Sequence, residues 1–159
     1  MEAFPDGKSL MEAYTPDKIS SIMAVSDRSR IFKGQSPELS LVSRLYGLQV
    51  TQAWLEVQLG YVNEYIGVKE KLSARVIHDL AHMLQGIGYY LRMSEMMLFF
   101  AYLMSGRYGR FYGAVDPVTI TSALRQFIVD RDAEIEHINR MECIRQREEA
   151  LRRRREGGQ

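Results

Sequence analysis

An all-α fold, a helical bundle of four to six helices with long central and C-terminal helices, is predicted by three observations. Apolar residues recur at helical spacing through most of the chain beyond residue 36. Met96–Met104 is an unbroken apolar run of nine residues. No two alternating runs are joined by a hairpin turn. The chain has 159 residues, 46% of them hydrophobic and 26% charged, which is the range of an ordinary globular domain with its own core. Three parts follow: a weakly structured arm over 1–35, a helical bundle domain over 36–141, and a charged helical extension with a frayed end over 142–159.

In the arm, Thr15-Pro16-Asp17 reads as a cap followed by a first-turn proline, with a short helix to about Val25. Ser36-Pro37-Glu38 repeats that signal, with Ser36 as cap, and opens a long helical pattern that stops at Gly67. Leu41, Leu48, Leu55 and Val62 recur every seven residues, and Leu45, Gln52, Leu59 and Ile66 form the companion row. The seam made by Leu41, Leu45, Leu48, Leu55, Leu59 and Val62 is a candidate interface: it packs inside the bundle or against a second copy of the chain. Gly47 and Gly60 each weaken the case for one unbroken helix.

Ser73 caps the next helix, whose apolar set is Val76, Ile77, Leu80, Met83 and Leu84, with Gly86 and Gly88 interrupting it. Ser94-Glu95 restarts a helix. The run Met96–Met104, apolar on every side, marks it as the buried central one. Three glycines between Ser105 and Val115 forbid a stable helix there. Asp116-Pro117 starts the last helix, with Ile120, Leu124, Phe127, Ile128, Ile135 and Ile138 on one side. Past Met141 the apolar stripe fades into the arginine-rich end that contains Arg152–Arg155.

The composition excludes several function classes. A net charge of +1 rules out a uniformly basic polyelectrolyte, so any nucleic-acid contact must come from a local patch. The one cysteine, Cys143, forms neither a disulfide nor a zinc knuckle within the chain. The glycine spacing at 106, 109 and 113 fits neither a phosphate-binding loop nor a dinucleotide fingerprint, and no Gly-x-Ser-x-Gly elbow occurs. The start of the chain lacks the layout of a signal peptide, and a nine-residue apolar run is too short to span a membrane, so a cytoplasmic protein without a membrane partner is expected. No catalytic residue, cofactor or metal is assigned.

A metal-binding enzyme stands only as the second alternative. His78 and His82 have zinc-protease spacing, but Asp79 stands where that helix needs a glutamate base. Asp79-x-x-His82 and Glu134-x-x-His137 imitate the two carboxylate-histidine pairs of a helical di-metal site, with Glu56, Glu64 or Glu95 to complete it.

The segment that points to function is Arg107-Tyr108-Gly109-Arg110-Phe111-Tyr112-Gly113. Arginines that can hold phosphates alternate with rings that can stack on bases. Arg125 and Arg131, on the helix that follows, are candidate extensions of this surface.

The strings Leu91–Phe100, Gly106–Gly113, Val115-Asp116-Pro117, Ile120-Thr121 and Ala123–Phe127 resemble a family of small helical proteins, largely uncharacterised, from phages and integrated mobile elements of the Bacteroidetes. The resemblance covers about residues 40–130 and carries no activity. It implies an association with mobile DNA. The leading expectation is therefore a non-enzymatic accessory protein of mobile-element or phage DNA metabolism. Its loop would contact DNA or a replication or helicase-type protein. The first alternative is a protein–protein adaptor or homo-oligomer without nucleic-acid affinity.

Overall fold

The computed structural model describes residues 4–158. Helix α1 (Gly7–Ala13), a 3-10 turn (Pro16–Lys18), α2 (Ile19–Ile22) and α3 (Ser29–Lys33) occupy the first 35 residues. The stretch expected as a weakly structured arm thus buries Leu10, Ile19, Ile31 and Phe32 in the core. Helices this short do not survive alone, and tertiary packing carries them. Trp54 shows how: its indole N–H donates to the Tyr14 carbonyl at 2.8 Å, and the Gln58 amide donates to the same oxygen at 2.9 Å.

The long helix expected from 36 to 66 is two, α4 (Leu39–Tyr46) and α5 (Leu48–Tyr65), broken at Gly47. Gly47 sits at φ 100°, ψ 151°, a region essentially closed to residues with a Cβ. Gly47→Ala is expected to cost about 1–3 kcal/mol. A lower urea midpoint with an unchanged slope would report it. Ser36 is not the helix cap. Its hydroxyl accepts from the Ser94 N–H at 3.0 Å, while Leu39 N–H donates to Leu91 O and Met93 N–H to Pro37 O, both at 2.9 Å. Residues 36–39 are thus tied to the chain that enters the central helix.

The break divides the heptad seam. Leu55, Leu59 and Val62 are buried in the molecule's own core, whereas Leu45 and Leu48 are 51% and 56% exposed and Leu41 is half-buried. Half of the expected interface is therefore consumed internally. The remaining leucines flank the break, because two rods meeting at Gly47 cannot keep one continuous stripe.

Helix α6 (Ala74–Ile87) begins at its expected cap: the Val76 N–H donates to the Ser73 hydroxyl at 3.3 Å. It runs through Gly86 and ends at Gly88. Helix α7 (Met93–Met104) is the centre of the bundle and touches α2, α3, α5 and α8 (Pro117–Gly157). Its residues Glu95–Leu103 are all buried, as an all-round apolar helix requires. Helix α8 has 41 residues, about 60 Å at 1.5 Å per residue. Only its first part is anchored, through buried Ile120, Ala123, Leu124 and Phe127 and then half-buried Ile128, Ile135 and Ile138. The Lys33–Glu142 ion pair at 3.0 Å ties it to α3 farther along, and every described residue from Cys143 onward is exposed. Among the described residues no helix is long and apolar enough to cross a membrane.

Candidate functional site

The basic-aromatic loop is built from the end of α7. Gly106, at φ 80°, lets the chain reverse: its N–H donates to Leu103 O and the Arg107 N–H donates to Tyr102 O. This pair of bonds closes the last carbonyls of α7 in a Schellman motif. Gly109 donates to Gly106 O at 3.0 Å and makes the next turn. At its far side the loop is tied to the connector before α6. The Glu70 N–H donates to Gly113 O, and the Val115 N–H donates to Glu70 O, both at 2.9 Å. The connector itself is held by Asn63 of α5, whose buried amide donates to Leu72 O at 3.0 Å and accepts from Leu72 N–H at 2.8 Å.

The seven expected contact residues do not act alike. The Tyr108 ring packs 6.1 Å from Phe99, and its buried hydroxyl has no partner among the described residues. Burial pushes that phenol up to about 12, so it stays neutral. Tyr108 is an anchor rather than a contact. Phe111 is half-buried against the core. Arg107 is exposed, with its guanidinium 4.1 Å from the centre of the Tyr102 ring, which orients it. Arg110 is exposed, and Tyr112 is 86% exposed. Arg110 and Phe111 line a groove of about 540 Å3 against Tyr65, Ile66 and Val68.

Two more residues leave the list. Arg131 is committed inside the molecule: its Nε donates to the fully buried Glu95 carboxylate at 2.8 Å, and its side chain is 17% exposed. Arg125 is exposed, but the groove it lines is made with Gly86, Ile87 and Tyr90 and includes no residue of the loop. The arginine end does not join the loop either. Pro117 to Arg152 is about 50 Å along one helix, so the two basic features sit far apart. The start of α8 offers no free anion site. The Asp116 carboxylate fills it, accepting from the Thr119 hydroxyl at 2.8 Å and the Val118 N–H at 3.0 Å, and these bonds hold its pKa below the ordinary value.

The di-metal alternative requires carboxylates and histidines to converge. Among the described residues no group of three or more His, Cys, Asp or Glu side chains comes together. Glu95 is taken by Arg131, and Glu56 pairs with His78. A hydrogen bond from Gln52, with His78 adding to it, lowers the Glu56 pKa.

Sequence reasoning placed Glu95 only at a helix start and among the candidate metal ligands, missing its pairing with Arg131, and missed Asn63 altogether. Glu95 had one signal, its place three residues after the Arg92 cap, whose N–H it accepts at 2.6 Å. Asn63 had none, since its partner is backbone nine residues away. Neither the curated proteins nor the solved structures contain a match to the chain. Over residues 71–156, more than half its length and the stretch that holds α6, α7, the loop and nearly all of α8, the chain matches the model of a family of unknown function (DUF6633), and it belongs to that family.

Proposed function

We propose that this chain is a non-enzymatic accessory protein of mobile-element or phage DNA metabolism that holds single-stranded nucleic acid on the outer face of loop 105–115. Arg107 and Arg110 contact phosphates, and Tyr112 stacks on a base. The observation that carries this reading is Tyr112, 86% exposed on a loop whose two ends are fixed by backbone hydrogen bonds. A large ring held in water on a rigid loop is arranged for a partner surface, and a ring beside cations is the chemistry of unpaired bases. The resemblance of residues 91–127 to proteins of Bacteroidetes phages and mobile elements supports the biological setting.

Fluorescence anisotropy with labelled single-stranded and duplex oligonucleotides at low and physiological salt tests it. The single strand is expected to bind tighter. Tyr112→Ala is expected to weaken it by about 1–3 kcal/mol, the usual worth of one stacked base. Equal affinity of wild type and Tyr112→Ala would remove the stacking role. A second reading, an adaptor without nucleic-acid affinity, draws on the exposed Leu45 and Leu48, of which Leu48 lines a groove of about 530 Å3 with His82 and Tyr89. Tight partner capture lost on Leu48→Ser, together with no oligonucleotide binding, favours it.

A further inference from the structure

Past Ile138 every described residue of α8 except Glu142 is exposed, yet the helix there is not polar all round. Met141, Ile144 and Leu151 are 51%, 47% and 55% exposed. Ile144 and Leu151 are seven residues apart, and Met141 precedes Ile144 by three, so the three fall on one narrow stripe. In heptad terms Met141 is an a position and Ile144 and Leu151 are d positions, while the next two a positions are charged, Glu148 between the two d residues and Arg155 at the end. The flanks of that stripe have one chemistry. Arg140, Arg147 and Arg154 occupy the g positions, and Arg145 and Arg152 the e positions. Glu142, Glu149 and Glu156 fall together at b, turned away from the stripe. Acid–arginine pairs such as Arg140–Glu136 at 3.3 Å and Arg152–Glu156 at 3.9 Å add helical support in water.

We propose that residues 137–155 of α8 form a docking helix for an acidic amphipathic helix of a partner protein, the two making a short heterotypic coiled coil. Three alternatives are separable by charge and area. A second copy of this chain is disfavoured: parallel pairing sets g against e and antiparallel pairing sets g against g and e against e, and each opposes arginine to arginine. Nucleic acid would satisfy the arginines but leave Met141, Ile144 and Leu151 in water. A helix with carboxylates at its own e and g positions neutralises the arginines and buries the stripe together. The stripe reaches the body, because Met141 and Arg145 also line a groove of about 570 Å3 against Ser26–Ser29, which gives the partner's end a seat. This surface is separate from the loop, and the α8 match to the family runs through residue 156.

The test uses the full chain and two labelled peptides of three heptads with identical leucine and isoleucine at a and d. One carries glutamate at every e and g position, the other lysine. The glutamate peptide is expected to bind, more weakly as salt rises, and the lysine peptide is not. Ile144→Ser with Leu151→Ser is expected to weaken binding about tenfold or more, with the far-ultraviolet circular dichroism of the body retained, since both residues are exposed. Reversing Arg140, Arg145, Arg147, Arg152 and Arg154 to glutamate is expected to switch the preference to the lysine peptide. The Tyr112→Ala chain should bind the peptide as wild type does, which keeps this outcome independent of the loop. Four results would overturn the proposal: no binding of the glutamate peptide, binding indifferent to Ile144 and Leu151, self-association abolished by the same substitutions, or an oligonucleotide that displaces the peptide and ignores the apolar pair.

Discussion

Arg131→Ala is expected to lower stability at neutral pH by about 3–5 kcal/mol, the usual cost of removing one partner of a buried ion pair. At roughly 2–4 °C per kcal/mol for a chain of this size, the melting temperature should fall by about 6–20 °C. Glu95 is fully buried in the central helix and accepts from the Arg92 N–H at 2.6 Å and from Arg131 Nε at 2.8 Å. Tyr90 covers the Arg131 guanidinium at 5.5 Å and closes it off further from water. Without Arg131 the carboxylate keeps its burial and loses its counter-charge. The pH dependence has a definite sign. Burial raises the Glu95 pKa above its ordinary 4.5 even against the lowering by Arg131 and Arg92. The folded state therefore binds this proton more tightly than the unfolded state. Its contribution to stability is greatest below 4.5 and declines as pH rises through the raised folded value. Losing Arg131 raises that value further, so the defect should be largest at neutral pH and shrink near pH 4. Thermal melts of both proteins at the two pH values measure it, and an equal loss at both would contradict the assignment. Glu95→Gln added to Arg131→Met should recover much of the loss, because no buried charge then remains.

Asn63→Leu is expected to be nearly as costly. The side chain is 5% exposed, and its amide satisfies both the N–H and the C=O of Leu72. The leucine variant leaves two backbone groups buried without partners, at about 1–3 kcal/mol each. The effect should also reach the candidate site, because the connector held by Asn63 carries Glu70, which pairs with Gly113 and Val115. Amide hydrogen exchange should show faster exchange at Glu70 and Val115 in Asn63→Leu, with α7 still protected. Protection unchanged at those two amides would mean that the loop is held independently of the connector.

Local chemistry made much of the architecture legible. The buried α7 follows from an apolar run with no polar face. The Ser73 and Asp116 caps follow from residues that satisfy free helix N–H groups two or three positions on. What could not be read depends on contacts distant in sequence. Gly47 is visible as a weak point, but only its backbone at φ 100° turns the weakness into a break and divides the leucine seam. Arg131 reads as a free cation until Glu95, 36 residues earlier, is seen to claim it. Tyr108 and Tyr112 look equivalent in the string, yet one packs on Phe99 and the other stands in water. The short helices of the first 35 residues carry one or two apolar residues each, too few to make a period, and acquire their structure from the core they complete.

The salt dependence of single-strand binding tests the role of the loop most directly. Affinities of wild type and of Arg107→Ala with Arg110→Ala, plotted as log K against log salt concentration, give the number of phosphates each protein engages. Two phosphate contacts should be lost, making the slope shallower by about 1.4 at roughly 0.7 per phosphate of a single strand. Superimposable lines for the two proteins, or no measurable binding by wild type at low salt, would contradict the loop as a nucleic-acid contact.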